Sequence, residues 1–200
     1  MSDIQETGRV WAIVPAAGMS RRMGRPKQSL AFGTSTITGT VTRTLLAAGV
    51  AGVVVVTRTD LVDRLELPED ARVHVAFNDD ADSEMIDSIR IGLAMLEPPR
   101  VGDRDGIMVI PGDMPTLASG TCRRCITAYA EDPARIVITT HEGRRGHPIV
   151  FPFALRGIVR ELKGGLRMLP QERPENVFLL AVEDAGAGLD IDTRDDYASL

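Results

Sequence analysis

Arg21, Arg22, Arg25 and Lys27 put four positive charges into seven residues with no acid among them. The segment leading into them is Pro15-Ala16-Ala17-Gly18-Met19-Ser20. Three small residues in a row let a backbone approach a ligand closely, and Gly18 and Gly24 tolerate positive φ. Backbone N–H groups beside guanidinium and ammonium groups suit a polyphosphate. The spacing fits neither common phosphate loop. Gly24 is not followed by Lys and then Ser or Thr, and Met19-Ser20 interrupts the Gly-x-Gly-x-x-Gly pattern. On residue types alone the segment is an anion site, or a glycine-bearing turn with its arginines in solvent.

Two acidic groups could complete such a site. Asp113 lies in Ile110-Pro111-Gly112-Asp113-Met114-Pro115, just past an apolar run. Mg2+ takes few protein carboxylates and shares phosphate oxygens with them, which suits a lone fixed Asp. Ordinary turn chemistry explains Pro-Gly-Asp equally well. Asp190 and Asp192 are two apart, so on a short strand over Leu189–Ile191 both would face one side. Thr193 is placed to cap a last helix, with Asp195 and Asp196 in its first turn. Gly146-His147-Pro148 is expected in a loop.

These residues need elements to hold them. Strands are predicted at Val10–Val14, Val53–Thr57, Arg72–Phe77, Gly106–Ile110 and Arg135–Thr140. The Val53–Val56 run is continuous, as in a strand covered on both faces. Helices are predicted at Ile37–Ala48, ending at Gly49, at Glu84–Leu96, stopping before Pro98, and at Ala118–Ala130. Alternation of strand and helix predicts a doubly wound, mostly parallel α/β sheet in a single domain. The final third is less regular, with short strands at Ile149–Phe151 and Val177–Val182 and short helices at Phe153–Leu162 and Leu166–Leu169.

Ala16-Ala-Gly-x-x-x-Arg22-Met-Gly24-x-Pro-Lys27 resembles the signature of nucleotidyltransferases with a Rossmann-like, glycosyltransferase-A fold. That superfamily includes sugar-phosphate nucleotidyltransferases, the isoprenoid-pathway cytidylyltransferases, and the molybdenum cofactor guanylyl- and cytidylyltransferases. The resemblance implies that Arg22, Lys27 and Asp113 carry catalysis. It implies a nucleotide-binding set of Pro15, Ala16, Ala17, Gly18, Met19, Ser20, Arg21, Arg22, Lys27, Asn78, Ser88, Pro111, Gly112 and Asp113. Asp113 would bind Mg2+, with Mn2+ as the alternative ion, and Asp190 or Asp192 would complete the metal site. Gly146-His147-Pro148 resembles a motif of the molybdenum cofactor cytidylyltransferase branch, and Ala16-Ala17-Gly18 stands where the guanylyl branch has Ala-Gly-Gly. Both lean toward CTP over GTP. Met114, Pro115, Gly146, His147 and Pro148 would contact a small phosphorylated acceptor such as molybdopterin. A molybdoenzyme or chaperone would be a further partner. Residues 9–116 would form the nucleotide half, and 117–200 the acceptor and metal-completing half.

Three segments depart from that pattern. Ser83–Ser88 keeps only its last serine, Lys163-Gly-Gly-Leu-Arg167 lacks an expected Asp, and Arg194 replaces a usual Pro. They leave two alternatives open: an isoprenoid-type or sugar-phosphate transferase, and a non-catalytic nucleotide-binding accessory protein.

Composition excludes other classes. With a net charge of -5 the chain lacks the basic surface that nucleic-acid binding needs. No apolar run approaches the ~20 residues of a membrane span, and the N-terminus is polar, so the expected location is cytoplasmic. Cys122-x-x-Cys125 has no second ligand pair and reads as two apolar positions on a helix.

Overall fold

A computed structural model of the protein describes residues 8–20, 23–98 and 100–199. β1 (Val10–Pro15) is followed by a two-rung hairpin, β2 (Ala31–Phe32) and β3 (Ser35–Thr36), and by α1 (Ile37–Ala48). Then come β4 (Val53–Thr57), β5 (Val73–Phe77), α2 (Met85–Met95), β6 (Gly106–Val109) and α3 (Ser119–Glu131). β7 (Ile136–His141) and β8 (Arg144–Pro152) precede α4 (Arg156–Glu161), α5 (Leu169–Glu172), β9 (Val177–Ala181) and α6 (Arg194–Ala198).

Seven strands form one sheet in the order β5-β4-β1-β6-β8-β7-β9. β8 runs antiparallel to both its neighbours, and every other pairing is parallel. The doubly wound, mostly parallel expectation therefore holds. Alternate residues of each central strand feed two cores. Ala12, Val14, Val53 and Val55 pack under α1 and α3, and Trp11, Ile13, Val54 and Val56 pack under α2. This two-sided burial explains why Val53–Val56 carries no polar alternation. Burying each such valine stabilises by roughly 1.5–3 kcal/mol.

The helix ends follow their sequence signals. Thr36 caps α1 by accepting from the Gly39 N–H, and Gly49 closes it at φ 93. Glu84 and Asp87 cap α2 reciprocally, and Thr193 and Asp196 do the same for α6. Among the described residues no helix is long and apolar enough to cross a membrane.

Two expectations need correction. Gly146-His147-Pro148 lies within β8 rather than in a loop, with a cis bond between His147 and Pro148. Glu142 and Gly143 both adopt positive φ, making a tight hairpin turn that carries pairing with β7 back to Arg144. Leu189–Ile191 is not a strand: among the described residues its only backbone bond of the kind is from the Ile191 N–H to the Asp113 carbonyl, 3.1 Å.

Candidate active site

The strand order reverses between β1, which leads outward to β4 and β5, and β6 on its other side. Open α/β sheets bind ligands beyond the carboxyl ends of the strands at such a point. The two loops leaving β1 and β6 meet there. The Gly112 N–H donates to the Pro15 carbonyl at 2.9 Å, and the Thr38 hydroxyl donates to the Gly112 carbonyl at 2.8 Å. Gly112 needs its missing side chain, since a Cβ there would stand 2.9 Å from the Ala16 Cβ.

The loop after β1 is held in shape by side chains of its own neighbourhood. Ser20 takes a φ of 49, and its hydroxyl accepts from the Lys27 N–H and donates to the Gln28 side-chain carbonyl, both at 3.1 Å. The Gln28 amide donates to the Gly18 carbonyl at 2.9 Å, and Gln28 is 3% exposed. From the far side Arg58, also buried, donates to the same carbonyl at 3.4 Å. Arg194 donates to the Met23 carbonyl and ties α6 to this loop. Arg21 and Arg22, expected on the triphosphate, lie outside the described residues.

Lys27 and the acids form the electrostatic centre. The Lys27 ammonium is 2.6 Å from Asp113 Oδ2 and 2.8 Å from Asp192 Oδ1. Burial pulls the Lys27 pKa down, but attraction to Asp113 and Asp192 outweighs it and leaves the amine above its usual value. Burial pushes the Asp113 carboxyl up. Lys27 opposes this, and the charge of Asp190 adds to it. Asp113 Oδ1 is buried with no hydrogen-bond partner. A buried carboxylate oxygen left in that condition is costly, and a cation would satisfy it.

The acids reach this place through a pinned segment. Asp184 Oδ2 accepts from the Ala118 N–H at 2.9 Å and the Thr121 hydroxyl at 2.7 Å, at the start of α3. Its Oδ1 accepts from the Gly186 N–H at 3.0 Å. Residues Ala185–Gly188 then form a short 3-10 turn laid across β8. Gly146 has no side chain because a Cβ there would overlap the Ala187 carbonyl oxygen, and one on Gly186 would stand 2.6 Å from the Thr116 carbonyl. Ile191 is buried with Met23, Leu30 and Ile37 beneath the Lys27 loop, so Asp190 and Asp192 flank an anchored residue.

A cleft of about 450 Å3 opens over this centre. Of the expected nucleotide set it is lined by Pro15, Ala17, Gly18, Ser20, Lys27, Ser88, Pro111, Gly112 and Asp113, together with Asp190 and Asp192. Ala16 faces the core instead, and Met19 lines a smaller hollow beside Asp80–Ser83. Asn78 lies behind the wall, where its amide donates to Ser83 and Ser88. Asp87 is spent on capping α2 and on pairing with Arg90 at 2.8 Å.

An adjoining cavity of about 380 Å3 shares Met85, Pro111, Asp113 and Asp190 with the cleft. Met114, Gly146 and His147 line it, as do Arg145 and Arg167. Pro115 and Pro148 do not, being buried behind it, where the Pro148 carbonyl accepts from Thr139. Burial pulls the His147 imidazole down to about 4, against the opposing charge of Asp190, so it is neutral near pH 7.

The chain's donors fit a hard divalent cation of the Mg2+ type. Among the described residues no three His, Cys, Asp or Glu side chains converge on one point. That excludes a closed protein cage, and Mg2+ needs none, since one or two carboxylates plus substrate phosphates suffice. Asp113, with its unpartnered oxygen, could be one donor, and Asp190 or Asp192 the other. Cys122 and Cys125 are free, buried in α3, and take no part.

Sequence reasoning assigned no role to Gln28, Arg58 and Asp184, which hold the loop after β1 and the 184–192 segment in shape. Asp184 before Ala-Gly-Ala-Gly carried a turn signal, since Asp accepts from the backbone two residues on. Nothing local announced its bonds to α3.

The MobA-like NTP transferase domain, as a family profile, matches residues 12–177. The chain is 26% identical over 195 residues to the molybdenum cofactor cytidylyltransferase of Escherichia coli (strain K12), covering 92% of each. The crystal structure of Rv0371c from Mycobacterium tuberculosis H37Rv superposes with a TM-score of 0.80 at 27% identity, covering 96% of this chain and 97% of that one. A structure of the same mycobacterial protein in complex with manganese gives 0.75 at 28% identity, with coverage of 96% and 97%. With its cleft at the strand-order reversal and a profile spanning most of its length, the chain is a nucleotidyltransferase that belongs to the MobA-like NTP transferase family.

Proposed function

We propose that the protein transfers CMP from CTP onto a small phosphorylated acceptor of the molybdopterin kind, in a Mg2+-dependent reaction that releases pyrophosphate. The observation that carries this reading is the continuity of two cavities across Asp113 and Asp190, one beside the phosphate-type loop and one beside His147. The Escherichia coli relative, named as a cytidylyltransferase, supports CTP, and the manganese complex of the mycobacterial relative supports a divalent ion. Residues 9–116 supply the nucleotide half and 117–200 the acceptor half.

An oxygen of the acceptor's phosphate attacks the α-phosphorus in line. The new O–P bond forms as the bond from the α-phosphorus to the bridging oxygen of pyrophosphate breaks. The protein's work is positioning and charge neutralisation. Asp113 with Asp190 or Asp192 would hold the divalent ion, which when bound supplies positive charge on the nucleotide phosphate oxygens. Lys27 and Arg22 neutralise the departing pyrophosphate. Gln28 and Ser20 keep the loop amides in place, so no reorganisation is required of them. Neutral His147 walls the acceptor cavity and offers it a hydrogen bond without adding charge.

The test is pyrophosphate release with CTP, GTP and ATP, each with Mg2+ and a set of phosphorylated acceptors including molybdopterin. Turnover with CTP and molybdopterin is expected. Tight CTP binding with no release for any acceptor would favour a non-catalytic nucleotide-binding role, and faster release with GTP would reverse the base assignment.

A further inference from the structure

We propose that Lys27 and the divalent cation compete for the same carboxylates, so the ion binds firmly only when a polyphosphate draws the ammonium away. The inference rests on the metal reading above and concerns how this chain's own lysine gates that site. The ammonium lies 2.6 Å from Asp113 and 2.8 Å from Asp192, bridging two acids 79 positions apart in the chain. These are the distances of direct charge-assisted bonds. The Lys27 and Asp113 side chains are 12% and 16% exposed, so that pair is shielded from water and its attraction is little screened, whereas Asp192 is 41% exposed.

Asp113 offers one oxygen to the ammonium and keeps the other, Oδ1, buried and unpartnered. A divalent ion ligated there at roughly 2.1 Å would stand no more than about 7 Å from the ammonium. Like charges at that separation in a desolvated site repel strongly. Asp192 cannot serve both cations with its bonded oxygen either. One of them must leave, and only the lysine can move without refolding the loop. Its backbone N–H is fixed by Ser20, while its flexible four-carbon stem can change rotamer without moving the backbone. The cleft gives it a destination, since Pro15, Gly18 and Ser20 line the same space. A triphosphate there would trade places with the acids as the ammonium's partner. Ion and nucleotide would then bind with positive coupling, and the ammonium would hold the two acids together in the meantime.

The simpler reading is a permanent ion pair that merely stabilises the fold. Mn2+ binding to the full chain without nucleotide, followed by the paramagnetic signal of free Mn2+, separates the two. Lys27→Met is expected to bind Mn2+ at least ~10-fold more tightly than wild type, within the 5–150-fold range usual for coupled sites. Lys27→Arg keeps the charge and is expected to stay near wild type. A second measurement needs no variant. The chain has only two lysines, Lys27 and Lys163, so Lys163 serves as an internal control for amine acylation. Mn2+ is expected to speed acylation of Lys27 relative to exposed Lys163 by at least ~3-fold, read by mass spectrometry of the two peptides. Equal saturable Mn2+ binding in wild type and Lys27→Met, with unchanged Lys27 acylation, overturns the competition and leaves the metal site standing. No saturable binding by any of the proteins removes the metal site and the competition with it. If Lys27→Met fails to fold, the acylation ratio in wild type decides alone.

Discussion

Replacing Gly146 with Ala tests whether the Gly146-His147-Pro148 motif serves the ligand or the chain. The added Cβ would overlap a backbone atom, the Ala187 carbonyl oxygen, which cannot rotate aside as a side-chain end can. Relief requires the 185–188 turn to lift from β8 by about 1 Å, given that interiors are close-packed. That turn leads directly into Asp190 and Asp192, while Ile191 is tethered to Asp113 at 3.1 Å. The displacement therefore falls on the acids and leaves the loop after β1 in place. A misplacement of about 1 Å costs on the order of 100-fold in rate. Steady-state pyrophosphate release should show kcat lowered by about that factor, with nucleotide affinity within a few-fold of wild type. Overpacking should also lower stability by about 1–3 kcal/mol, seen as a shifted urea midpoint. His147→Ala is the control, since it opens the acceptor cavity without moving the turn, and it should raise the acceptor KM more than it lowers kcat. A Gly146→Ala enzyme with wild-type kcat would refute the claim that this glycine exists to seat the turn.

Lys27→Ala should lower turnover by at least ~100-fold, the scale of losing one preorganised charge contact, and near-wild-type release would take Lys27 out of the reaction. Asp184→Ala strands the Ala118 and Gly186 N–H groups and should cost about 2–4 kcal/mol by urea unfolding. A loss below about 0.5 kcal/mol would show that the 184–192 segment is held by other contacts. Alkaline stability depends on α3, where burial pushes the Cys122 thiol from 9.0 to about 12 and the Cys125 thiol to about 11. Both folded values are raised, so the unfolded chain holds fewer protons above pH 9. Their contribution is fully present below that pH and is lost as pH climbs toward the folded values, at about 2–3 kcal/mol per pH unit near pH 10. A Cys122→Ala/Cys125→Ala protein should show a flatter decline between pH 9 and 11, and an unchanged slope would contradict that assignment.

Local signals carried most of the fold. The Val53–Val56 run, the Gly49 stop and the Thr193 cap are each decided by residues within one turn, and each appears where the sequence puts it. Asp113 was legible for the same reason, since Ile110-Pro-Gly-Asp fixes its own geometry. What sequence could not give were pairings made at a distance. The β2–β3 hairpin is two residues per strand, too short for a periodicity to register. β8 grew past its predicted start because β7 was there to pair with it. Leu189–Ile191 alternates like a strand, yet its backbone finds only Asp113. Gly146 looked like ligand chemistry, and the turn packed against it is more than 35 residues away in the chain. The bridge from Lys27 to Asp192 spans 165 positions, beyond any local rule.

That span also sets an order of events during synthesis. When Lys27 is added to the growing chain its Asp192 partner has not yet been made, and Asp192 comes 165 positions later. At 5–20 residues per second the delay is roughly 8–33 s. Through that interval the loop after β1 can form against β4, and Asp113, made 86 residues after Lys27, must itself wait 79 more for Asp192. A nascent chain can thus shape the loop after β1 well before the segment carrying Asp190 and Asp192 exists to close the cleft.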